Sequence, residues 1–372
     1  MEITHSSIQG TYLNKRVLVT GDTGFKGSWL CEWLLLEGAD VFGLGLEPNT
    51  TPSLFKQLKL SERIKHQNLD IRNYDKLASY ISSVQPQFIF HLAAQPLVRY
   101  SYQHPVETFA TNVLGTVNLL DALKVINHKC VAVLITTDKC YENKEWVYSY
   151  RECDSLGGYD PYSASKGCCE IAINSYRNSY YKYPLKCGKA VASARAGNVV
   201  GGGDWSLDRI IPDCIRNIKA GNPIPVRNKT ATRPWQHVLE PLSGYLLLAA
   251  ELWACLASKI DGENLTRIST LNGPFNFGPE LYSNKTVEAL VKELLKHCSG
   301  TWVDQSDPKA PHEASLLNLS IDKSYHTLGW RPKWNFERTI LETVNWYNGI
   351  ETNKSNATEM TQRQIRQYLE ND

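Results

Sequence analysis

The 372-residue sequence contains no C-x-x-C pair, no H-E-x-x-H motif and no run of lysines or arginines. These absences argue in turn against a dithiol or zinc-ribbon centre, a zinc protease and a nucleic-acid partner. A formal net charge of only +2 points the same way as the missing basic run. Ten cysteines are many, but the adjacent Cys168 and Cys169 would project from different faces of a helix, a poor metal clamp. Ten reduced, mostly packing cysteines and no metal are therefore expected. The most apolar run, residues 245–257, is too short to span a bilayer and contains Glu251, so no membrane partner is expected. The start, MEITHSSIQGTYLN, lacks the basic segment and apolar core of a signal peptide, which predicts a cytoplasmic protein. Sequons such as Asn228-Lys229-Thr230 then mean little, and no internal repeat or low-complexity segment is present.

What the chain does contain is an alternation of short apolar runs with helical patterns. Residues 17–20, 40–46, 88–93 and 131–137 read as buried strands, with 66–70 a weaker fifth. Helical stretches such as 29–37 and 116–125 lie between them. That rhythm predicts an α/β fold with a parallel sheet covered on both faces. From about residue 200 it gives way to a loop-rich stretch opened by Gly201-Gly202-Gly203. An apolar helix over 241–257, a strand over 274–277 and a polar tail after Asn353 follow.

Gly21-Asp22-Thr23-Gly24-Phe25-Lys26-Gly27 stands between the first strand and a helix. Glycines there let the backbone approach a pyrophosphate closely, and the helix start supplies free N–H groups. The spacing does not fit a Walker A loop. No Arg follows the second strand, whereas Glu47 does, a carboxylate suited to ribose hydroxyls and hostile to a 2′-phosphate. NAD is thereby favoured over NADP, unless Glu47 is only a solvated loop residue.

Tyr162-Ser163-Ala164-Ser165-Lys166 puts Tyr and Lys four residues apart on one helix face. A neighbouring ammonium favours the phenolate, so this Tyr can take a proton from a sugar hydroxyl while a nicotinamide takes the hydride. Alone the pattern is common on surface helices; the dinucleotide site upstream gives it weight. Thr137-Asp138-Lys139 follows an apolar strand, where side chains of a parallel sheet face the ligand crevice. Elsewhere an Asp-Lys pair would read as a helix cap or a surface ion pair.

In this order, Gly21, Gly24 and Gly27, Asp70-Ile71, His91 to Ala94, Asn112 and the Tyr162/Lys166 pair resemble the extended short-chain dehydrogenase/reductases over nearly the whole chain. Longer segments, among them GFKGSW, LAAQPLVRYSY, DKCYENKEW, GGYDPYSASKG, RAGNVVGGGDW and RPWQHVLEPLSGYL, resemble the nucleotide-sugar 4,6-dehydratases acting on CDP-glucose. The resemblance implies an NAD-binding Rossmann-type doubly wound sheet with a smaller C-terminal substrate domain. Residues 1–198 would form the first, with 233–257 and 274–279 folding back onto it; 199–232 and 280–372 would form the second. A homodimer or dimer of dimers would pair through 105–126 and 160–180.

By the same resemblance Gly21, Thr23, Gly24, Phe25, Lys26, Gly27, Asp70, Ile71, Leu92, Ala93, Ala94, Gln95, Asn112, Tyr162 and Lys166 would hold NAD. Gln95, Arg99, Asn198, Arg209, Arg233 and His312 would hold the nucleotide sugar, although Arg233 could be a structural ion-pair partner and His312-Glu313 an exposed loop pair. Tyr162, assisted by Lys166 and Thr137, would remove the O4 proton as hydride leaves C4 for NAD. Asp138 would protonate the C6 hydroxyl as a base removes the C5 proton, and the hydride would return to C6. Asp138 must then carry a proton at neutral pH. Residue 139 is Lys, as in the dehydratases acting on CDP-glucose, where the wider dehydratase family usually carries Glu; it serves either as the C5 base or as a stabiliser of the enolate. Asp22 would weaken cofactor binding unless it points away, and Lys26 either offsets it or disturbs the local packing, so modest NAD affinity is expected. A 4-epimerase or decarboxylase on the same fold would not need Asp138, and a non-catalytic scaffold would not need Tyr162. Dideoxyhexoses of surface polysaccharides, including lipopolysaccharide O-antigen, are the usual destination of this chemistry.

Overall fold

Seven parallel strands form the centre of the computed structural model, which describes residues 8–306, 316–351 and 356–370. They are β1 (Arg16–Thr20), β2 (Asp40–Gly45), β3 (Lys65–Asn68), β4 (Phe88–His91), β5 (Cys130–Ile135), β6 (Lys189–Arg195) and β7 (Pro274–Asn276). Their spatial order is β7-β6-β5-β4-β1-β2-β3, and every pairing is parallel. Strand order reverses between β1 and β4, which opens a crevice at their carboxyl ends. β4 and β5 are buried throughout, as apolar strands covered on both faces must be, whereas edge strand β3 (KHQN) is mostly exposed.

β6 has no clear signature in the sequence. Its KAVASAR is rich in alanine and poor in β-branched residues, yet all seven residues are buried in register from Cys130↔Lys189 to Ile135↔Ala194. Neighbours on both sides supply its ladder, so tertiary context overrides weak propensity. Small side chains also suit a strand covered by helices on both faces. Those helices are α2 (Pro161–Ser179) and α3 (Leu239–Ala257), which pack on it. α3 is 19 residues long, begins earlier than the apolar run suggests, and meets the length and composition of a bilayer-crossing helix. Here 89% of its apolar window is buried inside the protein.

α1 (Phe25–Leu36) starts inside the glycine turn, several residues before its apolar pattern, because Gly24 N–H closes on Gly21 O and Ser28 N–H on Gly24 O. Glu32 on α1 is fully buried and takes a two-pronged bond from Arg63 at 2.6 and 2.8 Å. Asp160 caps α2 through Ser163 N–H at 2.9 Å, with Pro161 in the first turn, and so fixes where the helix carrying Tyr162 begins.

Glu240 ties α3 to the end of the chain: its carboxylate accepts from Trp334 N–H at 2.7 Å and from the Tyr368 hydroxyl at 2.6 Å. Burial pushes this carboxyl up to about 7, against those bonds, which lower it. The folded protein therefore keeps a proton that the unfolded chain has lost, and the contribution is full below about pH 4 and fades as pH rises through 7. Lys333, pushed down to about 8 by burial, titrates only at the top of that window. Chemical unfolding of wild type and Glu240→Gln should differ in slope: the wild type loses roughly 2–3 kcal/mol between about pH 5 and 8 that the variant does not.

Candidate active site

Gly21 adopts a φ of +74°, and a Cβ there would sit 2.6 Å from Ala93 N. A Cβ on Gly27 would lie 2.1 Å from Gly21 O, so both positions demand glycine. The turn opens onto a cavity of about 530 Å³, and the first-turn amides of α1 lack intrahelical partners. Every residue expected to hold the cofactor lines this cavity except Asn112, and Glu47 lies on its wall as well.

Asn112 stands behind the cavity wall. It sits in a π-helical turn (Ala110–Leu114), nearly fully buried, and the wall position goes to its neighbour Thr111. Its side chain accepts from Gln95 N–H at 2.8 Å and donates to Ser165 Oγ at 2.8 Å. It braces the wall from behind. Gln95 is expected against both cofactor and sugar. It lines the cofactor cavity and not the neighbouring one, its amide being spent on Leu97 O and Thr108 Oγ1.

Asp22 points away from the turn. It is fully buried beneath β2, with Oδ2 2.6 Å from His66 Nδ1. Burial raises its pKa while the His66 bond and charge lower it, and that bond raises His66. Lys26 faces the other way, into the crevice, so the two do not compensate. Burial pushes the Lys26 ammonium down to about 7, helped by Arg209 and Lys166 and opposed by Asp138.

A second cavity, about 340 Å³, shares Lys26, Thr136, Tyr162, Asp204 and Arg209 with the first, and these mark where the two meet. Thr137, Asp138, Lys139, Arg99, Asn198 and Arg233 line it. Its wall also includes Pro225 and Arg233, from the short strands Ile224–Val226 and Thr232–Pro234. Asp138 is fully buried, Oδ1 accepts from the Thr137 hydroxyl at 2.8 Å, and Lys139 Nζ stands 3.8 Å from that oxygen. Arg209 is held by Asp204 at 2.9 Å, which keeps its guanidinium charged. Arg99 reaches Asp208 at 3.7 Å, and Asn198 takes the left-handed φ of +44°. Arg233 Nη1 donates to Thr232 O at 2.9 Å. His312 lies outside the described residues.

The expected effect of Lys166 on Tyr162 differs in detail. Burial raises the phenol above its ordinary value; the Thr137 hydroxyl lowers it, Asp138 raises it and Arg209 lowers it. Lys166, itself lowered by burial, donates to Ile135 O at 3.2 Å and so serves the end of β5. One helical turn on, Glu170 accepts from Thr136, from Ser193 Oγ at 2.8 Å and from Arg195 Nη2 at 2.8 Å. Sequence reasoning missed this buried brace, and it missed Asp204, although RAGNVVGGGDW contains both Arg195 and Asp204. Among the described residues no group of three or more His, Cys, Asp or Glu side chains could hold a metal ion.

The model of the family described as GDP-mannose 4,6 dehydratase matches residues 18–343. The chain is 45% identical over 338 residues to the CDP-glucose 4,6-dehydratase of Salmonella typhimurium strain LT2, covering 90% of each. A dTDP-glucose 4,6-dehydratase from Streptomyces venezuelae, solved with NAD bound, matches with a TM-score of 0.74 at 24% identity, covering 91% of this chain and 98% of that one. UDP-glucose 4-epimerase from Thermotoga maritima matches with a TM-score of 0.71 at 21% identity, covering 90% and 99%. At those identities the two structures share the fold with this chain, whereas the long match and the close relative fix its kinship: the chain belongs to the GDP-mannose 4,6-dehydratase family.

Proposed function

We propose that the chain is an NAD-dependent dehydratase that converts CDP-glucose to CDP-4-keto-6-deoxyglucose and water. The observation that carries this reading is the Asp138 carboxyl, fully buried in one cavity with the Tyr162 phenol and with Lys139 beside it. A 4-epimerase needs the phenol alone. The 45% identity to a CDP-glucose enzyme supports the choice of nucleotide.

NAD would be held along the glycine turn and at the β4 end, by Gly21 to Gly27 and Leu92 to Gln95, and would supply a reversible hydride acceptor there. Tyr162 accepts the O4 proton; burial works against its phenolate form and the Thr137 hydroxyl works for it. The 4-keto group then acidifies C5, and Lys139, which lines the same cavity, takes that proton or steadies the enolate. Asp138 gives its proton to the departing C6 hydroxyl. Arg209 and Arg233, on the cavity wall, suit the substrate pyrophosphate, since a guanidinium donates two parallel hydrogen bonds to it.

A dimer through residues 105–126 and 160–180 belongs to the same reading, supported by the exposed Val106, Leu114 and Ile171 on those segments. So does a cytoplasmic location, which ten unpaired cysteines favour. Incubation with NAD and each of CDP-, dTDP-, UDP- and GDP-glucose tests the proposal. Only CDP-glucose should give the alkaline-absorbing 4-keto-6-deoxy sugar at an appreciable rate. Faster turnover of another nucleotide would reject the base assignment, and an epimerised product would reject the dehydratase.

A further inference from the structure

The Asp138 carboxyl lies flat against the backbone of Gly197, the second residue after β6. An ideal Cβ on Gly197 would stand 1.9 Å from Asp138 Oδ2, 2.1 Å from Cγ and 2.6 Å from Oδ1. No side chain can occupy that position while the carboxyl keeps its place. Gly197 is buried and its φ is not in the left-handed region, so steric exclusion rather than backbone conformation is what requires glycine. Its peptide is pinned as well: Gly197 O accepts from Gln236 Nε2 at 2.9 Å, and that same nitrogen donates to Phe277 O at 3.1 Å, just past β7. Gln236 is itself fully buried, so the floor beneath Asp138 is anchored to the sheet.

On the other side Thr137 holds Oδ1 at 2.8 Å, while the buried Oδ2 has no hydrogen-bond partner among the described residues. A buried carboxyl oxygen without a partner is costly unless something occupies it during function. The carboxyl is thus fixed on one oxygen by Thr137, supported from below by bare backbone, and left with one oxygen unpaired in a residue that lines the substrate cavity.

We infer that Gly197 is a positioning residue for dehydration, acting through Asp138: its missing side chain is the seat that holds the carboxyl where the C6 oxygen is protonated. The inference rests on the reading of Asp138 as the acid. It says that residue 197 decides whether a C4-oxidised sugar goes on to lose water. Any side chain there displaces the carboxyl by more than an ångström and leaves the Tyr162 step alone.

Gly197→Ala, Asp138→Ala and the double variant, each with NAD and CDP-glucose, test this. In Gly197→Ala the single-turnover rise of NADH absorbance should keep its wild-type rate, while 4-keto-6-deoxy sugar formation falls by about 100-fold or more. In the Asp138→Ala background the same substitution should change product formation by less than about 3-fold, since the group it displaces is gone. Thermal melting gives a readout independent of turnover: Gly197→Ala should lower the midpoint, and adding Asp138→Ala should restore much of the loss. That comparison stands even if the single variant folds poorly. Wild-type dehydration by Gly197→Ala, an equal further loss in the Asp138→Ala background, or no recovery of melting in the double variant would each overturn the inference. Failure of the wild-type protein to oxidise CDP-glucose would instead overturn the functional reading, with the melting comparison still deciding the seat.

Discussion

Tyr162→Phe should abolish oxidation and dehydration together, lowering both by about 10²- to 10⁴-fold. The phenol lines both cavities at their junction, and the proposed mechanism has it take the first proton. Its ring is buried, and Phe keeps that ring, so the melting temperature should barely move. The check is a paired assay, NADH absorbance in a single turnover and product after alkali. Loss of product with NADH formation intact would remove Tyr162 from the first step. Thr137 gives a graded version of the same effect, because its hydroxyl both lowers the phenol pKa and bonds Asp138 at 2.8 Å.

Asp138→Asn should separate the two half-reactions. Asn keeps the shape and can still accept from Thr137, but it has no proton to give the leaving hydroxyl. Oxidation at C4 should proceed and NADH should accumulate to near the enzyme concentration, while water loss falls by about 10²- to 10⁴-fold. Single-turnover absorbance combined with mass analysis of the sugar reads this directly. Equal loss of both signals would mean that Asp138 serves orientation and not acid catalysis. Tyr162 and Asp138 thus carry distinct signatures although they share one cavity.

The parts of the fold visible in the sequence are those where local pattern and tertiary context agree. β1, β4 and β5 are continuous apolar runs because helices cover both faces, and the glycine turn is legible because Gly21 and Gly27 leave no room for a Cβ. β6 is not legible, since its alanines are strand residues only by virtue of their neighbours. In the site, the Tyr162/Lys166 spacing and the tripeptide after β5 could be read, because helix and strand periodicities aim those side chains. Asn112 was beyond such reading: the π-helical turn shifts the wall to Thr111 and turns Asn112 inward. The orientations of Asp22 and Lys26 were equally hidden, for a turn residue and one in the first turn of α1 share no period from which to tell the His66 side from the crevice side. Gly197 carries no local signature in the sequence, and only the position of Asp138 sets it apart.

The central claim is that one hydride leaves C4 and comes back at C6 of the same sugar. CDP-glucose deuterated at C4, turned over with unlabelled NAD in ordinary water, tests it most directly. Deuterium should appear in the C6 methyl group of CDP-4-keto-6-deoxyglucose, with a single solvent hydrogen at C5. Deuterium still on C4 of an epimerised sugar, or washed out of the product altogether, would contradict the account.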